Sequence, residues 1–104
     1  MDILEKKEHY SMLYDFYESL LTDRQREYFE AYYFNDMTLQ EISEEFDVSR
    51  NAAFLSLKKV FSALDEYEEK LKLCLKFQKR ENIYKELEKK EENKELIEKL
   101  RNIE

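Results

Sequence analysis

MTLQEISEEFDVSRNAAFLSLKKVFSAL, residues 37–64, reads as a short helix, a tight turn and a second, longer helix. Thr38 with Glu41 three positions on is a capping box, in which each side chain satisfies an orphan backbone N–H at the helix start. Leu39, Ile42, Ser43 and Phe46 recur at helical spacing and give the short helix one apolar face. Asp47-Val48-Ser49 then breaks the period. Asp47 favours a turn because its carboxylate bonds nearby backbone and it tolerates unusual dihedrals. Val48 supplies an apolar anchor, and Ser49 is a good N-cap for the next helix. Ala53, Leu57, Val60 and Leu64 form its buried stripe, at spacings of four, three and four. The other face shows Arg50, Asn51, Phe54, Leu55, Lys58 and Lys59. This is the spacing of a helix-turn-helix, which usually lays its second helix in the DNA major groove. Periodicity alone allows a plain helical hairpin equally. The small Ala52-Ala53 pair, which lets two helices cross closely, favours the helix-turn-helix.

Composition supports helices throughout. A chain of 104 residues holds one modest core, and this one has no Gly and no Pro, so the strongest loop and breaker signals are missing. Charged residues make up 41%, as on long exposed helices, while eight Tyr and seven Phe exclude disorder by composition. One Cys and one His exclude an internal disulfide and a zinc site of the usual kind. No apolar run approaches the ~20 residues of a membrane span. The start of the chain lacks the order of a signal peptide, so a cytoplasmic protein is expected. The net charge of -7 is unevenly spread. Within residues 36–60 the acids Asp36, Glu41, Glu44, Glu45 and Asp47 fall in the first motif helix and its turns, while Arg50, Lys58 and Lys59 all fall in the second.

Towards the N-terminus, residues 3–20 form a helix with Ile3, Leu4, Met12, Leu13, Phe16, Tyr17, Leu20 and Leu21 on its core face, widened by Tyr10 and Tyr14. His9, among charged neighbours, reads as a solvated histidine. Thr22 with Gln25 is a second capping box, opening a helix over about residues 23–34. Its rings, Tyr28, Phe29, Tyr32 and Tyr33, read as core and partner surface rather than a base-stacking platform, because Glu27 and Glu30 are interleaved with them. Arg24 and Arg26 are either phosphate contacts or solvated. Asn35-Asp36 is the turn into the motif.

Towards the C-terminus, residues 61–79 continue the second motif helix or follow it after a small bend, with Cys74 as a small core hydrophobe in an apolar seam. KFQKR, residues 76–80, is a short basic run. Residues 81–104 read as one last charged helix, striped by Ile83, Leu87, Ile97 and Leu100. The pairs Glu81–Lys85, Glu86–Lys90 and Glu95–Lys99 support it by ~0.3 kcal/mol each. The expected division is a helix-turn-helix domain over residues 1–64 and a helical extension over 65–104, packed on the core or on a dimer partner.

The runs LLTDRQREYFE and EISEEFDVSR, and the stretch from Tyr14 to Leu71 that holds them, resemble the YlxM family of small bacterial proteins. The resemblance implies an all-α chain with a helix-turn-helix similar to sigma factor region four. With the periodicity above, the expected fold is a winged-helix-like or sigma region-four-like core of four helices with a long C-terminal helical extension. Members are usually encoded beside components of the signal recognition particle, so the resemblance implies a role in that pathway, through DNA, the particle's RNA or its GTPase. It also implies a homodimer. After Ser49-Arg50 the chain departs from the family's Gln-Ala-Val-Tyr-Asp-Asn and carries Asn51-Ala52-Ala53-Phe54-Leu55-Ser56. Asn51 keeps an amide able to read an adenine edge, but Phe54 and Leu55 put apolar groups on the face that would meet DNA.

No catalytic set is visible, no Gly is present for a phosphate loop, and no cofactor is implied. Three binding readings follow. A DNA-binding regulator would use Gln40, Ser49, Arg50, Asn51, Lys58 and Lys59. An accessory factor of the signal recognition particle would use the same positions on RNA, with Lys70, Lys72, Lys76, Lys79 and Arg80. A dimerisation or protein-interaction module would bury the motif helix. Architecture favours the first, the resemblance the second and composition the third. The reading adopted is a nucleic-acid-binding helix-turn-helix regulator associated with the signal recognition particle, with the interaction module as its alternative.

Overall fold

The computed structural model describes the backbone of residues 3–104 and the side chains from residue 6 onward. The helices are α1 (Ile3–Tyr17), α2 (Asp23–Tyr33), α3 (Leu39–Glu45), α4 (Arg50–Leu71), α5 (Leu73–Leu87) and α6 (Lys94–Ile103), with 3-10 turns at Glu18–Leu20 and Glu91–Asn93. No strand occurs among the described residues, so the helix-turn-helix carries no wing. The chain divides into two compact units, Met1–Lys72 and Leu73–Glu104. The division expected after residue 64 falls inside α4, which continues without a break to Leu71.

Where the chain turns, it does so without glycine. Asp36, Asp47 and Lys72 take φ of 52°, 53° and 55°. Asp enters this left-handed region because its short side chain bonds local backbone. Lys72 has no such help, and bears a strain of about 1–2 kcal/mol while its N–H caps the Glu68 carbonyl at 2.9 Å.

In the first unit the expected caps close as drawn. Thr22 Oγ1 accepts from the Gln25 N–H at 3.1 Å, and Gln25 Oε1 accepts from the Thr22 N–H at 2.9 Å. Thr38 and Glu41 repeat the exchange at 3.1 Å in both directions. Ser49 Oγ accepts from the Ala52 N–H at 3.0 Å and starts α4. The helix so aimed packs against α1, α2 and α3. Ala53, Leu57, Val60 and Leu64 are all buried, as are Leu13, Tyr14 and Tyr17 of α1 and Phe29 of α2, and Ala53 and Leu57 cluster with Tyr28 and Ala31 of α2 and Ile42 of α3.

Phe29, fully buried, is the hub of the aromatic packing. Its ring stacks on Tyr14 at 4.3 Å and on Tyr33 at 4.6 Å, and meets Phe34 and Phe61 edge-on at 5.7 and 6.4 Å. The side chains of Ile3 and Leu4, expected on this core face, lie outside the described residues. Leu20, expected with them, is half-exposed, because Glu18–Leu20 tightens into a 3-10 turn and leaves the α-helical register. Met12 lies at the margin of the face, 39% exposed.

Three tyrosines of α1 each donate a hydrogen bond to a carboxylate on another helix: Tyr10 to Asp65 at 2.8 Å, Tyr14 to Glu30 at 2.7 Å and Tyr17 to Glu68 at 2.5 Å. Burial, and then the bond to Asp65, pushes the Tyr10 phenol from 10.0 up to about 12. Burial, and then the bond to Glu30, pushes Tyr14 up too. The protonated phenol thus favours the folded chain. This stability is fully present below the unfolded value of 10.0 and is lost as pH rises towards about 12, because the unfolded chain ionises first. Urea midpoints followed by far-ultraviolet circular dichroism are expected to fall steeply over that window. Tyr14→Phe is expected to flatten part of the fall.

The second unit corrects the expectation of one last helix over residues 81–104. The chain turns back after Leu87, and α5 and α6 form a helical hairpin. No Gly or Pro marks this turn; Asn93 makes it, its Nδ2 donating to the Leu87 carbonyl at 2.9 Å. The reversal buries Tyr84 and Ile97 and changes the ion pairs. Glu81 pairs with Arg101 at 3.2 Å instead of Lys85, Glu88 holds the same guanidinium, and Glu86 pairs with Lys89 instead of Lys90. Glu95–Lys99 forms as expected, at 3.7 Å. Glu104 accepts from the Tyr84 hydroxyl at 2.7 Å and from Arg80 Nε at 2.6 Å, which together hold its carboxyl below the usual range. Of the expected stripe only Ile97 is buried.

Candidate nucleic-acid interface

The exposed face of α4 carries polar and apolar groups in alternation. Arg50, Phe54 and Lys58 follow one another at intervals of four, and Asn51, Leu55 and Lys59 run beside them. All six are exposed. The Lys58 ammonium stands 6.0 Å above the Phe54 ring, a cation–π distance. Eight residues of helix place Arg50 and Lys58 ~12 Å apart along α4. Ser49 spends an oxygen lone pair as N-cap, and its hydroxyl proton stays free to donate. Gln40 donates to Glu44 at 3.0 Å on the exposed side of α3.

A groove of about 680 Å³ opens where α1, the end of α2 and the start of α3 meet the first turn of α4. It brings together Gln40 and Arg50, which the sequence named, with Lys6, Lys7, Tyr32 and Asp36. Lys58 and Lys59 lie outside it, further along α4. Lys6 and Lys7 were not legible as site residues, because only the fold carries them from the chain start to α3 and α4. Lys7 is paired with Asp36 at 3.2 Å.

Arg24 and Arg26 both reach backbone carbonyls. Arg24 Nη2 donates to the Phe46 carbonyl at 3.3 Å, and its guanidinium lies 4.5 Å from the Phe46 ring, tying α2 to the end of α3. Arg26 Nη1 donates to the Glu18 and Leu21 carbonyls, at 3.1 Å each, and holds the turn between α1 and α2. Among the bases after residue 64, Lys70 is paired with Glu66 and Arg80 with Glu104, while Lys72, Lys76 and Lys79 are exposed.

Among the described residues no group of three His, Cys, Asp or Glu side chains is placed to hold a metal ion. No described helix is long and apolar enough to cross a membrane.

Two helices joined by residues 46–49, supported by α1 and α2 and presenting an exposed polar face on the second, define a helix-turn-helix protein. Residues 4–103 match the family described as "Putative helix-turn-helix protein, YlxM / p13 like", and the chain belongs to that family. A UPF0122 protein of Halalkalibacterium halodurans is 49% identical over 85 residues, which are 82% of this chain and 78% of the relative. UPF0122 proteins of Bacillus cereus strain AH187 and Bacillus thuringiensis subsp. konkukian are similar to the same degree, 49% over 85 residues, covering 82% of this chain and 77% of each relative.

Proposed function

We propose that this protein is a nucleic-acid-binding regulator of the signal recognition particle pathway and that the exposed face of α4 makes the contact. One observation carries the nucleic-acid reading. The chain has 25 acids for 18 bases, yet residues 50–64 of α4 hold Arg50, Lys58 and Lys59, all exposed, and no acid. In a protein with carboxylates to spare, bases kept apart from them suit an external anion, and phosphates are the anions a helix-turn-helix meets. The pathway rests on the resemblance of LLTDRQREYFE and EISEEFDVSR. It makes the protein's own operon DNA, the particle's RNA and its GTPase the candidate partners, in a cytoplasmic setting.

The second reading, an interaction module, is supported by Phe54 and Leu55, each 47% exposed on that same face. A homodimer is part of either proposal. It is supported by Ile83, Leu96 and Ile103, which are 60%, 60% and 81% exposed on the second unit.

Titration against duplex operon DNA and against signal recognition particle RNA, each at two salt concentrations, tests the proposal. Arg50→Ala with Lys58→Ala is expected to weaken binding and to lower the duplex salt slope by about two. Unchanged retention by the double variant would remove α4 from the contact surface. An absence of binding to either nucleic acid by the unaltered chain would leave the interaction module.

A further inference from the structure

From the groove in the first unit we infer a subsite for one unpaired nucleotide of a single strand, with its base on the Tyr32 ring and its phosphate between Lys6 and Arg50. This rests on the reading of α4 as a nucleic-acid-binding helix. The groove, of about 680 Å³, falls within the range of small-ligand sites. Asp36 would repel a phosphate, and Lys7, bonded to it at 3.2 Å, offsets part of that charge. That leaves Lys6 and Arg50 as cations without a carboxylate partner among the described residues. The sequence grouped Tyr32 with the core rings and not with a stacking platform, but Tyr32 is 40% exposed, unlike Tyr28 and Phe29 on the same helix, which are buried. Its ring meets Tyr33 at 5.3 Å and Phe61 at 6.4 Å, at interplanar angles of 70° and 56°, and the two contacts brace it. Two unpaired cations beside an exposed, braced ring match a phosphate and a base. A duplex supplies phosphates but keeps its base faces stacked inside; only an unpaired nucleotide offers a face to the ring. Gln40, at the same groove, can bond the base edge.

The test uses the full chain with four probes: an eight-nucleotide single strand as DNA and as RNA, the duplex of the same sequence, and a free mononucleotide. Tyr32→Ala is expected to weaken single-strand binding about 5- to 150-fold. It is expected to leave duplex binding within about twofold, since stacking takes no part there. Tyr32→Phe keeps the ring and is expected to retain binding. Lys6→Ala is expected to lower the single-strand salt slope by about 0.7. An unchanged single-strand affinity in Tyr32→Ala, or an equal loss on strand and duplex, overturns the subsite. So does a free mononucleotide bound as tightly as the eight-nucleotide strand. If Arg50→Ala with Lys58→Ala still weakens duplex binding in those cases, the proposed function survives without the subsite. No binding of any strand by the unaltered chain overturns both.

Discussion

Phe29→Ala is expected to destabilise the first unit by about 3–5 kcal/mol, the span for an aromatic ring removed from a core. Phe29 has no exposed surface, and α1, α2 and α4 all place aromatic rings around it. Tyr14 and Tyr33 stack on its two faces, nearly parallel, at interplanar angles of 6° and 8°. Truncation removes the transfer energy of the ring, leaves a cavity and strips both neighbours of their stacking partner. Small domains hold only about 5–15 kcal/mol in total, so the loss is a large share. The expected result is a urea midpoint far below that of the unaltered chain with an unchanged slope, the sign that stability fell and not the compactness of either state. Phe34→Ala gives the contrast. Phe34 touches the same ring edge-on but is 51% exposed, and its loss is expected to be much the smaller of the two. Equal midpoint shifts would show that Phe29 is not the hub.

Ile42→Ala comes second, at about 2–5 kcal/mol. Ile42 is fully buried and shares a cluster with Tyr28, Ala31, Ala53 and Leu57, with Met37, Leu39, Phe46, Val48 and Phe61 packed around it. It is the one deeply buried apolar side chain of α3, a helix of seven residues that would be marginal alone. Its removal is expected to lower the thermal midpoint. Native-state hydrogen exchange is expected to show the α3 amides losing protection before those of α1 and α2. Uniform loss across all helices would mean that α3 unfolds only with the whole unit.

The first unit was legible because its determinants are local. A capping box spans three residues, the stripe of α4 spans one helix face, and Asp47 carries its own reason for turning. Those marks place α2, α3 and the start of α4 within a residue or two, but not the end of α4 at Leu71. The hairpin of the second unit was not legible. Its turn is held by Asn93 reaching back to the Leu87 carbonyl and by Arg101 between Glu81 and Glu88, in a stretch whose helical charge spacing also suits a continuous helix. The candidate site divides in the same way. Arg50, Asn51, Lys58 and Lys59 could be read from one helix. Lys6 and Tyr32 enter only when α1 and α2 fold beside them. The pairing of Lys7 with Asp36, far apart in the chain, also needs the fold, whereas the lack of any acid between residues 50 and 64 can be read from the sequence.

The distribution of charge along α4 has a kinetic meaning. Its residues 50–64 hold three bases and no acid, and residues 65–71 hold four acids and one base. That order runs against the helix dipole, which favours acids at the start and bases at the end. What the helix forgoes in stability it returns as orientation. The polyanion proposed as ligand would repel a chain of net charge -7 overall, and only the basic end of α4 would attract it, so the charge order would select which end of the helix meets it. Added salt would then screen both the repulsion by the net charge and the pull on that end, and the orientation would be lost first.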